Sequence, residues 1–228
     1  MNGGERMVDY KQLLEGSRAF VEKEKRDAMY KVATYLVSEF WGKPRDITDG
    51  LGVLLLTWNQ ALYRYGSFDF ELLEKCLNEN MGKLQQLRER DIFSYNDKDA
   101  NITKGLFDSL LEALQDPKGR KSPVAVSKAL HLMAPKFFPL WDNDISKAYG
   151  CHWYYSEAAA DKYLEFMGKM RTLAENILQN FIDTEGGTRE TAIKTICERC
   201  SRNMPFTKSL LKIIDEFNYS RYSKNWVK

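Results

Sequence analysis

Residues 118–150 carry the strongest structural signal in this chain and read KGRKSPVAVSKALHLMAPKFFPLWDNDISKAYG. Ser122 followed by Pro123 is typical of a helix start, because serine caps the first turn and proline fits its first position. The apolar pattern that follows predicts a helix over 124–134.

A segment rich in proline and aromatic residues follows this helix. Pro135 and Pro139 lack a backbone donor, so they predict an irregular connection. Asp142 is a strong N-cap and predicts a short helix that ends at Gly150. The whole stretch therefore predicts a helix, a rigid loop and a second helix with an acid at its start.

Apolar residues recur at three- and four-residue spacing through nearly every other long segment, which is the helical period. The expected helices are two within 8–40, broken around 24–27, and others starting at Asp46 or Asp49 (through Tyr65), Ser67, Asn101 or Thr103, Ser156 (the longest), Thr188 and Pro205. No hairpin signal and no internal repeat is present. The sequence predicts an all-α fold of roughly ten helices in a single compact domain over residues 1–228.

Composition narrows the class of protein. The 228 residues are 43% hydrophobic and 13% aromatic, which excludes a disordered chain. The formal net charge is only +2, so any surface that binds nucleic acid has to be local. No apolar run approaches a membrane span, and the first residues lack the apolar core of a signal peptide. Four cysteines in a chain of this length do not indicate a disulfide framework. We expect a cytoplasmic monomer with no membrane partner.

A basic loop leads directly into the helix that starts at Ser122. It contains Lys118, Arg120 and Lys121, and the helix N-terminus adds exposed amides and the positive end of its dipole. Together these groups are a candidate DNA-phosphate site. The alternative is an ordinary solvated turn.

This order of elements resembles the helix-hairpin-helix DNA glycosylase superfamily, in particular its 8-oxoguanine glycosylase-like branch. The resemblance rests on SKALH at 127–131 followed by PLWD at 139–142. It implies a two-lobed helical fold with a cleft, double-stranded DNA as partner, no cofactor, and Asp142 as the catalytic carboxylate. Such enzymes flip a damaged or modified base out of DNA and hydrolyse its N-glycosidic bond.

The chain departs from the family in two places. The glycine-containing hairpin of the family is replaced by RKSPVAV at 120–126. When the helix is aligned on its end, the catalytic lysine of bifunctional members falls on Ala125, whereas Lys128 lies one turn further along. Lys128 is the candidate nucleophile in its place, and the alternative is an enzyme that only hydrolyses. On this alignment we expect base release without a covalent adduct.

The chemistry explains these residue types. Cleavage of an N-glycosidic bond builds positive charge on the deoxyribose, which a fixed carboxylate stabilises. A partly desolvated lysine can lose its proton and attack the sugar carbon. Phe138, Trp141 and His131 are candidates for the pocket that receives the flipped base. The plain alternatives are an N-cap role for Asp142, a solvated Lys128, and core packing for the aromatic and histidine side chains.

Cys197 and Cys200 form a lone CxxC pair. A four-cysteine iron–sulfur cluster is excluded by the spacing, and we predict no metal site. Zinc bound by Cys197 and Cys200 together with Cys151 and His152 is the alternative.

Three classes of function therefore compete: a glycosylase, a non-catalytic helical DNA-binding protein, and an interaction module. Asp142 at the floor of a positively charged cleft would favour the enzyme. The basic, aromatic segment 218–226 lies either against nucleic acid or on the body of its own domain.

Overall fold

The computed structural model describes residues 8–64, 66–201 and 207–228, and this part of the chain is all-α, without a strand. The predicted fold class is confirmed. The helices are α1 (Tyr10–Lys23), α2 (Asp27–Glu39), α3 (Pro44–Trp58), α4 (Phe70–Arg88), α5 (Ala100–Ala113), α6 (Pro123–Met133), α7 (Asn143–Ala148), α8 (Ala159–Glu185), α9 (Arg189–Cys200) and α10 (Leu210–Asn218). A π-helical turn, Tyr219–Ser223, continues α10.

The caps around the central stretch are those that the sequence predicts. The Ser122 hydroxyl accepts a hydrogen bond from the Ala125 amide at the start of α6. Asp142 caps α7, and Thr188 caps α9 while its own amide donates to the Thr191 hydroxyl. Each side chain satisfies an amide that the helix itself leaves unpaired.

Some predicted helix starts are wrong by a few residues. Helix α3 begins at Pro44, so Asp46 lies inside its first turn, and it ends at Trp58. The N-cap of α4 is Asp69 instead of Ser67. In α3 a proline at the first position sets the boundary, and in α4 the Asp69 side chain accepts the free amides of the first turn.

Two other helices follow short 3-10 turns. Helix α5 begins at Ala100, after a short 3-10 turn. Ser156 opens another such turn ahead of α8. Tyr65 and Pro205 lie outside the described residues.

One continuous hydrophobic core joins the helices. Helix α2 packs on α3, α1 packs on α10, and α6 lies between α3 and α5. The loop between α6 and α7 is part of this core, because the Trp141 ring packs among Phe107, Tyr163 and Phe166. Its proline and aromatic residues thus place the start of α7 firmly against the body of the domain.

None of the helices in the described ranges is both long and apolar enough to cross a membrane.

Candidate functional site

A cleft of about 360 Å3 lies where the start of α6, the start of α7 and the end of α3 meet. The junction of α1 and α2 forms another wall, and α10 contributes one residue to the lining. Its volume lies at the lower end of the range for small-ligand pockets, which is about 300–1,000 Å3. Lys128 and Asp142, the two candidate catalytic residues, both line this cleft.

Lys128 enters the cleft from the middle of α6 and is only 8% exposed. Its ammonium donates to the Asn59 side-chain oxygen at 2.7 Å and to the Trp58 carbonyl at 3.2 Å. Both partners are neutral, so they do not replace the hydration that burial removes. Burial therefore lowers the pKa of Lys128 to about 8, although Asp142 and Asp215 act in the opposite direction.

The face of α6 that borders the cleft carries Val124 and Lys128, one turn apart. Ala125, where the family alignment puts the lysine, is fully buried and is not among the lining residues. Lys128 is therefore the α6 lysine that reaches this cleft.

Asp142 is held at the first turn of α7 through both carboxylate oxygens. One oxygen accepts the Ile145 amide at 2.8 Å, and the other accepts the Ser223 hydroxyl at 2.6 Å. Each carboxylate oxygen has two lone-pair sites, so further acceptor capacity remains. The two bonds restrict the orientation of the carboxylate at the cleft.

Arg26, Glu24 and Tyr219 form one charged wall of the cleft. Arg26 binds Glu24 through two nitrogens at 3.0 and 2.9 Å, and the Tyr219 hydroxyl donates to Glu24 at 2.9 Å. The hydrogen bond from Arg26 lowers the pKa of Glu24 to about 2. Glu24 and Arg26 are therefore both ionised, and their opposite charges cancel each other within this wall.

The described lining is not positively charged, contrary to what the sequence argument favoured for an enzyme. Its acidic and basic side chains are four carboxylates and two cations: Glu24, Asp142, Asp144, Asp215, Arg26 and Lys128. Cations lie beside it instead. Lys25 lies between the lining residues Glu24 and Arg26 in the sequence. The Lys224 ammonium is 5.4 Å from the ring of Tyr219, which also lines the cleft.

The basic loop borders the cleft through Ser122, which is one of its lining residues. Arg120 is not free of partners, since its guanidinium donates to the Asp116 carboxylate at 2.7 Å and to the Leu62 carbonyl at 3.0 Å. Lys121 pairs with Glu112. Lys118 is exposed. A phosphate at this loop would therefore compete with carboxylates of the chain for Arg120 and Lys121.

Only one of the three candidate base-pocket residues lies at the cleft. Trp141 borders the cleft, although it is only 1% exposed. His131 and Phe138 are fully buried and do not line it. The His131 ring bonds the Phe138 carbonyl at 2.7 Å and the Tyr30 hydroxyl at 2.9 Å, and burial lowers the pKa of His131 to about 3. His131 is therefore a buried, neutral histidine, and neither His131 nor Phe138 lines the cleft.

Sequence reasoning missed Trp58, Asn59, Asp215 and Ser223. Trp58 and Asn59 end α3 and hold the Lys128 ammonium, while Asp215 projects from α10 into the lining. No local motif marks these residues. The basic, aromatic composition of 218–226 was the only sequence signal near Ser223, and in the structure this segment packs on the body of its own domain.

The described residues contain no group of three or more His, Cys, Asp and Glu side chains that could hold a metal ion. Cys151, Cys197 and Cys200 are free thiols. The alternative zinc set of Cys151, His152, Cys197 and Cys200 is therefore not assembled.

Comparisons of this chain with protein-family models, with curated proteins and with solved structures give no significant match. The functional argument therefore depends on the cleft itself.

Proposed function

We propose that this chain is a DNA glycosylase that accepts a flipped, modified or damaged base and cleaves its N-glycosidic bond. One observation carries the proposal: Lys128, with a lowered pKa, and Asp142, with a fixed carboxylate, line the same cleft. Lys128 lies on α6 and Asp142 caps α7, which is the order of the lysine and the aspartate in the helix-hairpin-helix DNA glycosylases that this chain resembles. The two-lobed arrangement of that family belongs to the proposal as well.

In this reaction the bond between the sugar carbon C1′ and the base nitrogen breaks, and its electron pair leaves with the base. The sugar becomes positively charged, and the Asp142 carboxylate stabilises that charge. Either water or the neutral Lys128 amine then bonds to C1′, and the departing base takes up a proton. With a pKa of about 8, roughly one-tenth of Lys128 is the free amine at pH 7.

DNA binding would use cations around the cleft, since the lining itself is acidic. Lys118, Lys25 and Lys224 are exposed and lie close in sequence to lining residues. Phosphates placed at this rim would keep the backbone outside while the base enters the acidic interior. A carboxylate-rich interior suits a transition state in which the sugar becomes cationic.

The alternative, a non-catalytic DNA-binding protein, is favoured by one observation. Both observed hydrogen bonds of Asp142 are those of a structural cap that is tied to the C-terminal segment. This alternative predicts salt-dependent duplex binding without base release.

Asp142→Asn is the decisive variant, because asparagine is as good an N-cap as aspartate and leaves α7 intact. Duplexes with single oxidised, deaminated or alkylated bases, and phage DNA with modified cytosines, serve as substrates. Release of the base is read as alkali-sensitive abasic sites. We expect a loss of about 100-fold or more in Asp142→Asn, with duplex binding preserved.

Asp69→Asn is the matched control, because Asp69 also caps a helix, α4, through its carboxylate but lines no part of the cleft. It should retain base release within a few-fold. Wild-type protein that binds duplexes but releases no base from any substrate would support the non-catalytic alternative. Undiminished release by Asp142→Asn would remove Asp142 from the mechanism.

A further inference from the structure

Four buried side chains of alternating charge form an ion-pair network that extends from the core to the lining of the cleft. Lys208 approaches Glu216 at 2.7 Å, Lys212 lies 3.6 Å from Glu216, and Lys212 donates to Asp215 at 3.0 Å. The side chains of Lys208, Lys212 and Glu216 are completely buried. Asp215 is 8% exposed and is the member that lines the cleft.

This ion-pair network is costly in free energy, because burial removes the hydration of each ion. Apolar side chains of similar volume often give an equally stable or more stable protein. A contribution to stability alone therefore explains this ion-pair network poorly. Its position, with a carboxylate at the cleft, points to a role in that site.

Aromatic rings hold Lys212 in place. Its ammonium lies 4.2 Å from the Phe20 ring centroid, 4.7 Å from Tyr30 and 5.4 Å from Trp58. Burial alone lowers the pKa of Lys212, but the combined attraction of its neighbouring carboxylates raises it above the usual value. Lys212 therefore stays charged and anchors the Asp215 carboxylate at the cleft.

The charges that act on Lys128 come from three elements. Asp142 at the start of α7 and Asp215 on α10 favour its ammonium form, whereas Arg26 at the start of α2 and Lys212 on α10 oppose it. Burial raises the pKa of Asp215 above its usual value, Glu216 and Asp142 act in the same direction, and Lys212 acts to lower it. Among these groups, Asp215 is the member of the ion-pair network whose negative charge favours the ammonium form of Lys128.

We propose that Asp215, anchored by Lys212, is a positioning residue that sets the pH range over which Lys128 reacts. The proposal rests on the proposed glycosylase function, in which Lys128 is the amine that attacks the sugar. Asp215 acts through its charge, which favours the ammonium form of Lys128, while Asn59 and Trp58 hold that ammonium by hydrogen bonds. The matching substrate is a flipped nucleotide whose C1′ reaches Lys128 between two carboxylates.

The test measures the protonation of Lys128 directly and without DNA. Protein with 15N,13C-labelled lysine is titrated by NMR from pH 6 to 10, and the Lys128 signal is assigned by its loss in Lys128→Met. We expect a wild-type midpoint of about 8. Asp215→Asn removes a negative charge, so its midpoint should fall by about 1 pH unit.

Asp161→Asn is the matched control, because Asp161 also pairs with a lysine, Lys104 at 2.6 Å, but on the surface. It should leave the Lys128 midpoint unchanged. Should Asp215→Asn fail to fold, the double variant Lys212→Met with Asp215→Asn keeps the Lys208–Glu216 pair balanced. Its midpoint should still fall, by less, because the opposing charge of Lys212 is lost too.

An unchanged or higher midpoint in whichever of these variants folds would overturn the proposal. The pH profile of base release should move toward acid by the same amount as the NMR midpoint. A shifted midpoint with an unshifted profile would also overturn the proposal. If Asp215→Asn shifts the midpoint but the wild-type protein releases no base, the glycosylase function is rejected. The electrostatic coupling of Asp215 to Lys128 then still stands.

Discussion

Lys128 shows how burial changes what a side chain can do. A solvated helix lysine stays protonated at neutral pH, but Lys128 loses most of its hydration between Trp58 and Asn59. The alignment on Ala125 favoured base release without an adduct. The position and lowered pKa of Lys128 favour the opposite expectation.

We predict that borohydride traps a covalent adduct between wild-type protein and a substrate duplex, because the Lys128 amine forms a Schiff base with the sugar. Trapping should increase as the pH rises through about 8 and level off above it, since the reactive form is the unprotonated amine. Lys128→Ala should abolish the adduct, whereas Lys147→Ala, an exposed lysine on α7, should not. Base release without trapping at any pH would leave water as the nucleophile.

At the scale of the element, the approach of α1 to α10 depends on Gly16. A Cβ atom at this position would lie 2.7 Å from the Phe217 ring and 2.8 Å from the Phe217 Cα. Backbone atoms cannot move away as a flexible side chain can. This contact places α10, and with it Asp215, beside the cleft.

We predict that Gly16→Ala lowers the free energy of unfolding by about 1–3 kcal/mol because α1 and α10 must separate. Gly105→Ala on α5 is the control, since its Cβ would meet nothing within 4 Å. That substitution should instead stabilise the protein by about 0.5–1 kcal/mol. Denaturant unfolding measures both, and equal effects at the two sites would contradict the packing argument.

At the scale of the whole molecule, a net charge of +2 supplies little general attraction to DNA. Any binding to DNA must come from local cations, and the number that contact phosphate limits the salt dependence. Arg120 is held by Asp116 and contributes less than its charge suggests.

We predict that neutralising Lys118 and Lys121 weakens binding to all duplex sequences alike and flattens the salt dependence by about one unit per lost phosphate contact. Lys75 and Lys83 on α4, from which the cleft takes no lining residue, form the charge-matched control pair. Fluorescence anisotropy from low to physiological salt measures the slopes. A loss confined to some sequences, or equal losses in both double variants, would argue against phosphate contact at this loop.

The sequence alone determined the features that depend on neighbours along the chain. Helical periodicity predicted the all-α class, and Ser122, Asp142 and Thr188 marked helix starts correctly because a cap bonds an amide three residues away. The candidate catalytic role of Asp142 came from the family resemblance carried by SKALH at 127–131 and PLWD at 139–142. Where two caps competed, as at Ser67 and Asp69, the boundary was predicted only approximately.

The tertiary structure alone decided which side chains meet in the cleft. Trp58, Asp215 and Ser223 reach Lys128 or Asp142 from segments about 70 to 90 residues away in the chain, so no spacing rule connects them. Packing also turned His131 and Phe138 into the core. Depth of burial sets the protonation of a lysine, and it results from the packing of the whole domain rather than from neighbours in sequence.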